Sequence, residues 1–262
     1  MNGVPFLVEK SAPLAKVVIN RQERRNAFSV SMWNGLMEIV EGLETDGDVR
    51  AVVLTGAGEA AFAAGADITE MQGEYPPRVE GVRAHPVRRV TALVAQSSKV
   101  YIAMVNGFAV GGGCELAVAC DLRVAADTAR LGIPSAKMGI CISANDIRML
   151  VGLVGPSRAK AILLTGRLVS AQEALAMGLV DYVVPKGELE PFTTALAREI
   201  AGNAPLSVLW AKRTVNRIMD PEALGPGAED GPDYSETCFE SEDFKEGVRA
   251  FMEKRRPVFR GR

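Results

Sequence analysis

At 262 residues the chain exceeds the roughly 100 to 150 of a typical single domain, and 48% apolar with 24% charged residues is the composition of a folded chain, not a disordered one. Thirty Lys and Arg stand against 32 Asp and Glu, a net charge of −2 that offers no basic field to a nucleic-acid backbone, so no nucleic-acid partner is expected. The apolar stretch from Val100 to Cys114 is stopped by Lys99 and Glu115 before the roughly 18 to 20 residues of a membrane helix, so no membrane span is expected.

The N-terminus MNGVPFLVEK has no basic region leading into a sustained apolar segment, and a cytoplasmic location is the expectation. A β-rich run, Ala15 to Ile19, passes through the turn Asn20-Arg21 to a predicted helix. One face of that helix carries Trp33, Leu36, Met37, Val40 and Leu43, with Ser29 or Ser31 as its N-cap. A second run, Ala51 to Leu54, ends at Thr55-Gly56 before the small-residue loop Ala61 to Asp67. There Asp67-x-x-Glu70 reads as a capping box with Asp67 as N-cap. Val87, Val90, Leu93 and Val94 mark a second amphipathic helix, and the third run, Val100 to Val105, ends at Asn106-Gly107. Strand, loop and helix thus recur three times, which is α/β patterning. From about residue 186 the strands cease. Pro191 to Ala201, Pro205 to Ile218 and Glu242 to Lys254 read as helices, and the Gly-, Pro- and Asp-rich stretch 220–233 as a loop. The organisation is a strand-rich core, 1–190, followed by a helical region, 191–262, whose apolar faces call for a partner subunit.

Cys114, Cys120, Cys141 and Cys238 form no C-x-x-C pair, and the single His85 leaves too few soft ligands for a conventional zinc site. No metal is expected, and the thiols are read as reduced and mostly buried.

The chemistry concentrates at Gly111-Gly112-Gly113, which falls at the first turn of a helix after the third strand. Unpartnered N–H groups and the positive end of the helix dipole favour an oxyanion there, and glycine leaves its approach open. The Gly-Lys-Ser/Thr ending of a phosphate loop is absent, and the dinucleotide fingerprint does not fit residues 107–113. Glu115 lies two residues beyond the last glycine. It is placed either to act as a base beside a developing oxyanion or only to complement the dipole. If the N–H groups of Ala66 and Gly112 face each other, the two loops supply a two-donor hole for a carbonyl that becomes an enolate.

At these residues the sequence resembles the enoyl-CoA hydratase/isomerase (crotonase) superfamily. The resemblance is carried by Asn20-Arg-Gln-Glu-Arg-Arg-Asn-Ala27, Ala61-Phe-Ala-Ala-Gly-Ala-Asp-Ile-Thr-Glu-Met71 and Asn106-Gly-Phe-Ala-Val-Gly-Gly-Gly-Cys-Glu-Leu-Ala117. Leu164-Thr-Gly-Arg167 and Ala171-x-Glu-Ala-Leu-x-x-Gly-Leu-Val180 extend it over nearly the whole chain. It implies an α/β, crotonase-like (ClpP/crotonase) spiral of repeated ββα units with a C-terminal helical trimerisation region, assembled as a homotrimer or a hexamer built as a dimer of trimers. It also implies an acyl-CoA substrate, with the thioester oxygen between the amides of Ala66 and Gly112. CoA contacts would come from Arg25, Ala27, Ala64, Asp67, Ile68 and Gly111, with Arg24, Arg25 or a neighbouring chain's Lys254 near the phosphates. CoA is part of the substrate, and no separate cofactor is implied.

Glu115 matches the first catalytic glutamate of family hydratases. Their second lies twenty residues on, where this chain has Pro134-Ser135, and their Pro-Gly-Ala-Gly-Gly stretch is here Ile142-Ser-Ala-Asn-Asp146. Ser135 is a weak replacement, because an unassisted hydroxyl barely ionises near neutrality. Asp146 either reaches the site or caps a helix Ile147 to Val154. His85 lies in a stretch resembling the family's variable acyl-pocket wall. Three readings follow: hydration of an α,β-unsaturated acyl-CoA by a lyase with one glutamate, double-bond isomerisation or thioester hydrolysis on the same scaffold, and a non-catalytic acyl-CoA-binding subunit.

Overall fold

The middle turns of the chain deliver one strand to a large sheet and the next to a small one. The computed structural model describes residues 4–71, 78–79, 82–83, 86–220 and 234–262; His85 and residues 221–233 lie outside them. In chain order, β1 (Phe6–Ser11), β2 (Leu14–Ile19) and α1 (Val30–Glu44) precede β3 (Ala51–Gly56) and β4 (Ala61–Ala63). The pair β5 (Arg78–Val79) and β6 (Val82–Arg83) leads to α2 (Pro86–Gln96). Two compact turns follow: β7 (Val100–Val105), β8 (Phe108–Val110) and α3 (Gly112–Ala119), then β9 (Leu122–Ala126), β10 (Arg130–Gly132) and α4 (Ala144–Thr165). Next come β11 (Val169–Ser170), α5 (Ala171–Met177) and β12 (Tyr182–Val184), and the chain finishes with α6 (Leu189–Ala201), α7 (Pro205–Met219), α8 (Tyr234–Glu240) and α9 (Glu242–Met252).

The large sheet has the order β1-β2-β3-β7-β9-β12 and is parallel from β2 onward; the small sheet has the order β11-β10-β8-β4 and is parallel through β4, β8 and β10. This is the expected spiral of ββα turns. Helices cover the large sheet on both faces, which is why β3 and β7 read as unbroken apolar runs. Val52, Leu54, Tyr101 and Ala103 face the core that contains Trp33, Leu36 and Val40 of α1. Ala51, Val53, Ile102 and Met104 face Leu189, Ala197 and Ala201 of α6. Each fully buried Leu, Ile or Val contributes about 1.5–3 kcal/mol, so these alternating sets fix which face each strand presents.

A strand that the sequence reading did not register, β9, carries the fourth turn. Its Arg123 is buried, with Nη1 donating to the Cys120 carbonyl at 2.8 Å and Nη2 paired with Asp181 at 2.8 Å. A charge in mid-run conceals a strand from a hydropathy pattern. The thiols are free, but only Cys114 and Cys120 are buried; Cys141 is exposed and Cys238 is half-buried, so "mostly buried" holds for two of four. No helix among the described residues is long and apolar enough to cross a membrane.

The α3 N-terminus abuts the end of β4 more closely than side chains allow. A Cβ added at Gly113 would lie 2.2 Å from the Ala63 carbonyl oxygen. Gly113→Ala should therefore destabilise the protein by about 1–3 kcal/mol in denaturant melts, as an overpacked core site does. Gly47→Ala, where an added Cβ meets nothing within 4 Å, serves as the control and should stay within about 0.5 kcal/mol. Equal midpoints for the two variants would refute the close approach.

Candidate active site

Three turn loops meet at one end of the sheets and are clipped together by two asparagines. Asn26 Nδ2 donates to the carbonyls of Ala57 (3.0 Å) and Ala61 (2.7 Å), and its Oδ1 accepts from the Arg21 N–H at 3.0 Å. Asn106 Nδ2 donates to the carbonyls of Gly56 (2.8 Å) and Gly58 (2.7 Å). The sequence marks Asn106 as a turn residue and neither asparagine as a clip.

Within this frame Phe28 and Ala66 form an isolated parallel bridge. The Phe28 N–H donates to the Gly65 carbonyl at 2.8 Å, and the Asp67 N–H to the Phe28 carbonyl at 2.7 Å. In a parallel ladder the residue between those two partners turns its own N–H the other way, so the Ala66 N–H points away from Phe28. Gly65 has φ +91°, and a Cβ placed there would come 3.3 Å from the Gly112 nitrogen, so the two loops are neighbours. Gly112 opens α3 behind Gly111, whose φ of 55° and ψ of −125° suit glycine and whose N–H donates to the Gly132 carbonyl at 2.9 Å. At this first helical position the Gly112 N–H has no intrahelical acceptor.

Glu115 sits in the first turn of α3 and is 7% exposed. Burial first, and the negative charge of Asp146 second, push its carboxyl up to about 8, and no hydrogen bond or cation among the described residues offsets them. Asp146 is 2% exposed. Its Oδ1 accepts from Thr91 Oγ1 at 2.7 Å, its Oδ2 is bonded to Ser143 Oγ, and its own N–H donates to Ser143 Oγ at 3.2 Å. The reading of Asp146 as the cap of a helix beginning at Ile147 is thereby corrected. Ser143 is the N-cap, α4 begins at Ala144, and Asp146 lies in its first turn.

Ser135 lies in the single 3₁₀ turn Pro134–Met138, half-buried, and its carbonyl accepts from the Ile140 N–H at 3.0 Å. Arg25 is exposed, its guanidinium 5.9 Å from the Phe108 ring centroid, and its carbonyl accepts from the Ala64 N–H at 3.1 Å. Ala27 is half-buried, with its carbonyl bonded to Arg21 Nη1 at 3.1 Å. Asp67 pairs with Arg21 Nη1 at 2.8 Å and accepts from Thr69 Oγ1 at 2.7 Å. The Thr69 hydroxyl, then the Thr69 N–H and Arg21, hold its carboxyl below the usual range. Ile68 is 60% exposed beside it. The capping box does not close: Glu70 Oε2 accepts from the Val30 N–H at 2.7 Å and so caps α1 instead. Lys254 lies exposed just past α9, in the helical region and not among these loops. Arg21 and Thr91 were not singled out from the sequence, since a loop arginine and a helical threonine carry no periodic signal.

The raised Glu115 carboxyl makes stability depend on pH. Its ordinary value is 4.5 and its folded value about 8, so between these the folded state keeps a proton that the unfolded chain releases. Its contribution is complete below about pH 4.5, falls as pH rises, and is lost once pH passes about 8. Melting temperatures of Glu115→Gln and the parent chain should therefore draw apart in favour of the variant from pH 5 to 8 and run parallel above. A difference independent of pH would show that the carboxyl is unperturbed.

The enoyl-CoA hydratase/isomerase family profile matches residues 9–262. The chain is 38% identical over 252 residues to a short-chain-enoyl-CoA hydratase of Clostridium acetobutylicum, covering 95% of each protein. It is 37% identical over 264 residues to an (E)-benzylidenesuccinyl-CoA hydratase of Thauera aromatica, covering 98% of this chain and 100% of the other. An enoyl-CoA hydratase/carnithine racemase from Magnetospirillum magneticum superposes with a TM-score of 0.91 at 34% identity, over 100% of this chain and 97% of that one. The spiral of ββα turns is thus the crotonase fold, and the chain belongs to the enoyl-CoA hydratase/isomerase family.

Proposed function

We propose that the protein is a hydratase that adds water across the C2–C3 double bond of a 2-enoyl-CoA thioester. The observation that carries this reading is the buried Glu115 carboxyl, raised to about 8, in the helix turn that begins at the Gly112 N–H. The thioester oxygen is received by the N–H groups of Ala66 and Gly112, which stabilise the charge that develops as C3 is attacked. One such donor is worth roughly 10² to 10³ in rate. A protonated carboxyl has both a donor O–H and an acceptor oxygen. Glu115 gives its proton to C2 while taking one from the attacking water, whose hydroxyl bonds to C3, so the acid ends as it began. One carboxyl thereby serves where Ser135 offers none. The CoA portion lies along Arg25, Ala27, Ala64, Asp67, Ile68 and Gly111, with the exposed Arg25 beside Phe108 as a cation for a phosphate. No cofactor other than the substrate's own CoA is required.

Assembly as a trimer, or as a dimer of trimers, suits the exposed Phe239, Val248, Phe251 and Met252 of α8 and α9, and would bring Lys254 to a neighbouring subunit's site. The names of the Clostridium and Thauera relatives, both hydratases of unsaturated acyl-CoAs, support the reaction class.

Incubation with crotonyl-CoA and bulkier enoyl-CoAs should yield a product heavier by one water, with turnover falling above about pH 8 as Glu115 ionises. Glu115→Gln should lose at least a hundredfold in kcat with CoA affinity nearly unchanged. An unchanged mass would identify isomerisation, released CoA thiol would identify hydrolysis, and tight binding with no product would identify a silent binding subunit.

The donor role of Gly112 is tested by a pair of variants. An added Cβ lies 3.1 Å from the Trp33 ring, so Gly112→Ala and Gly112→Pro crowd it alike. Only proline, tolerated at a first helical position, removes the N–H. The proline variant should be roughly 10²-fold slower than the alanine variant, and equal rates would remove Gly112 from the hole.

A further inference from the structure

Asp146 takes no part in the relay drawn above, yet it is almost fully buried and comes from α4, which packs on α3. Helix α2 packs on both and supplies Thr91. We propose that Asp146 is a positioning residue: its buried carboxyl, held by Thr91 and Ser143 on the helix that packs against α3, acts on Glu115 and takes the place of the second acid missing at Ser135.

Two hydroxyls bonded to its oxygens and a place in the first turn of a helix all suit a negative charge on Asp146. Glu115 receives no such donors, so it is the carboxyl that burial leaves neutral. The other groups around Glu115 do not offer a competing explanation. On α2, Arg88 and Arg89 are exposed; on α4, Arg148 is paired with Asp220; β4 and β8 carry no titratable side chain. On α3 itself burial pushes the Cys114 thiol up to about 12 and keeps it neutral.

The inference rests on the hydration reading for its meaning, but its measurement needs no substrate. The infrared carbonyl band of a protonated buried carboxyl, assigned by its loss in Glu115→Gln, is titrated in the parent chain and in Asp146→Asn. The midpoint should fall by about one pH unit or more in Asp146→Asn. The alkaline limb of kcat/KM with an enoyl-CoA should move down with it. The variant then stays close to the parent rate at pH 6 and is about tenfold slower at pH 9. An unmoved midpoint, or a uniform loss of rate at every pH, would overturn the proposal. Should Asp146→Asn fail to fold, Thr91→Val keeps the shape and removes one donor; its midpoint should fall by less, and an unmoved one is equally decisive. A shifted band in a protein with no hydration product would leave this coupling standing and sink the hydratase reading. Hydration with an unshifted band would do the reverse.

Discussion

The first turn of α3 is set against the end of β4 at a separation that no side chain tolerates. A Cβ at Gly113 would overlap the Ala63 carbonyl, and one at Gly65 would crowd the Val110 carbonyl at 2.7 Å and the Gly112 nitrogen at 3.3 Å. Backbone therefore meets backbone, and loops from two distant parts of the chain come to one place. The position of Glu115 follows from the same contact. Three residues into a short helix that is buried at every position, it cannot turn its carboxyl to solvent as a first-turn glutamate ordinarily does. The Asn26 and Asn106 clips act one layer further out, holding the loops that keep β4 and β8 in register with the helix.

That burial settles a competition between two opposed effects on Glu115. The α3 N-terminus favours the charged carboxylate by about 0.3–1 kcal/mol, less than one unit of pKa. Burial and the neighbouring Asp146 favour the neutral acid and move the group from 4.5 to about 8, several times the dipole's reach. The side chain thus remains an acid through the neutral range at a helix end where helix electrostatics alone call for an anion. Asp67, equally little exposed but nearer the protein surface, goes the opposite way because Thr69 and Arg21 meet its oxygens. Hydrogen-bond donors and depth together separate the two carboxyls.

Much of this framework is legible in the sequence. The unbroken apolar runs of β3 and β7, the Ser29 cap of α1 and the glycines that open α3 all lie where local pattern points, because each is decided by residues close in sequence. Less legible are the three-residue strands β4, β8 and β10, too short to show alternation, and β9, where Arg123 breaks the run. The side-chain partners of the site are less legible still. Glu70 fits a local capping box, yet bonds to Val30 forty residues away; Asp146 fits a helix cap, yet Ser143 fills that role and Thr91, fifty-five residues back, takes its other oxygen. In each case a local rule describes an available bond, and tertiary packing supplies a different partner.

On the proposed reading, the arrangement also accommodates a serine at position 135. Gly112 and Ala66 present main-chain groups whose direction is set by α3, by the Phe28 bridge and by glycines, none of which involves residues 135–146. On the proposed reading, polarisation of the thioester is independent of where the second acid lies. Position 135 sits in a half-buried 3₁₀ turn, whereas position 146 is inside, on a helix that packs against the one bearing Glu115. The bonds that start α4 are the same ones that hold the Asp146 carboxyl: Ser143 accepts from its N–H and bonds its side chain in return. A charge placed there is anchored by the helix cap itself and needs no further structure to orient it. On the proposed reading, a second acid in the α4 cap and not in the 135 turn exchanges a group able to touch the reacting atoms for one that acts through Glu115, and the proton chemistry then falls to a single carboxyl.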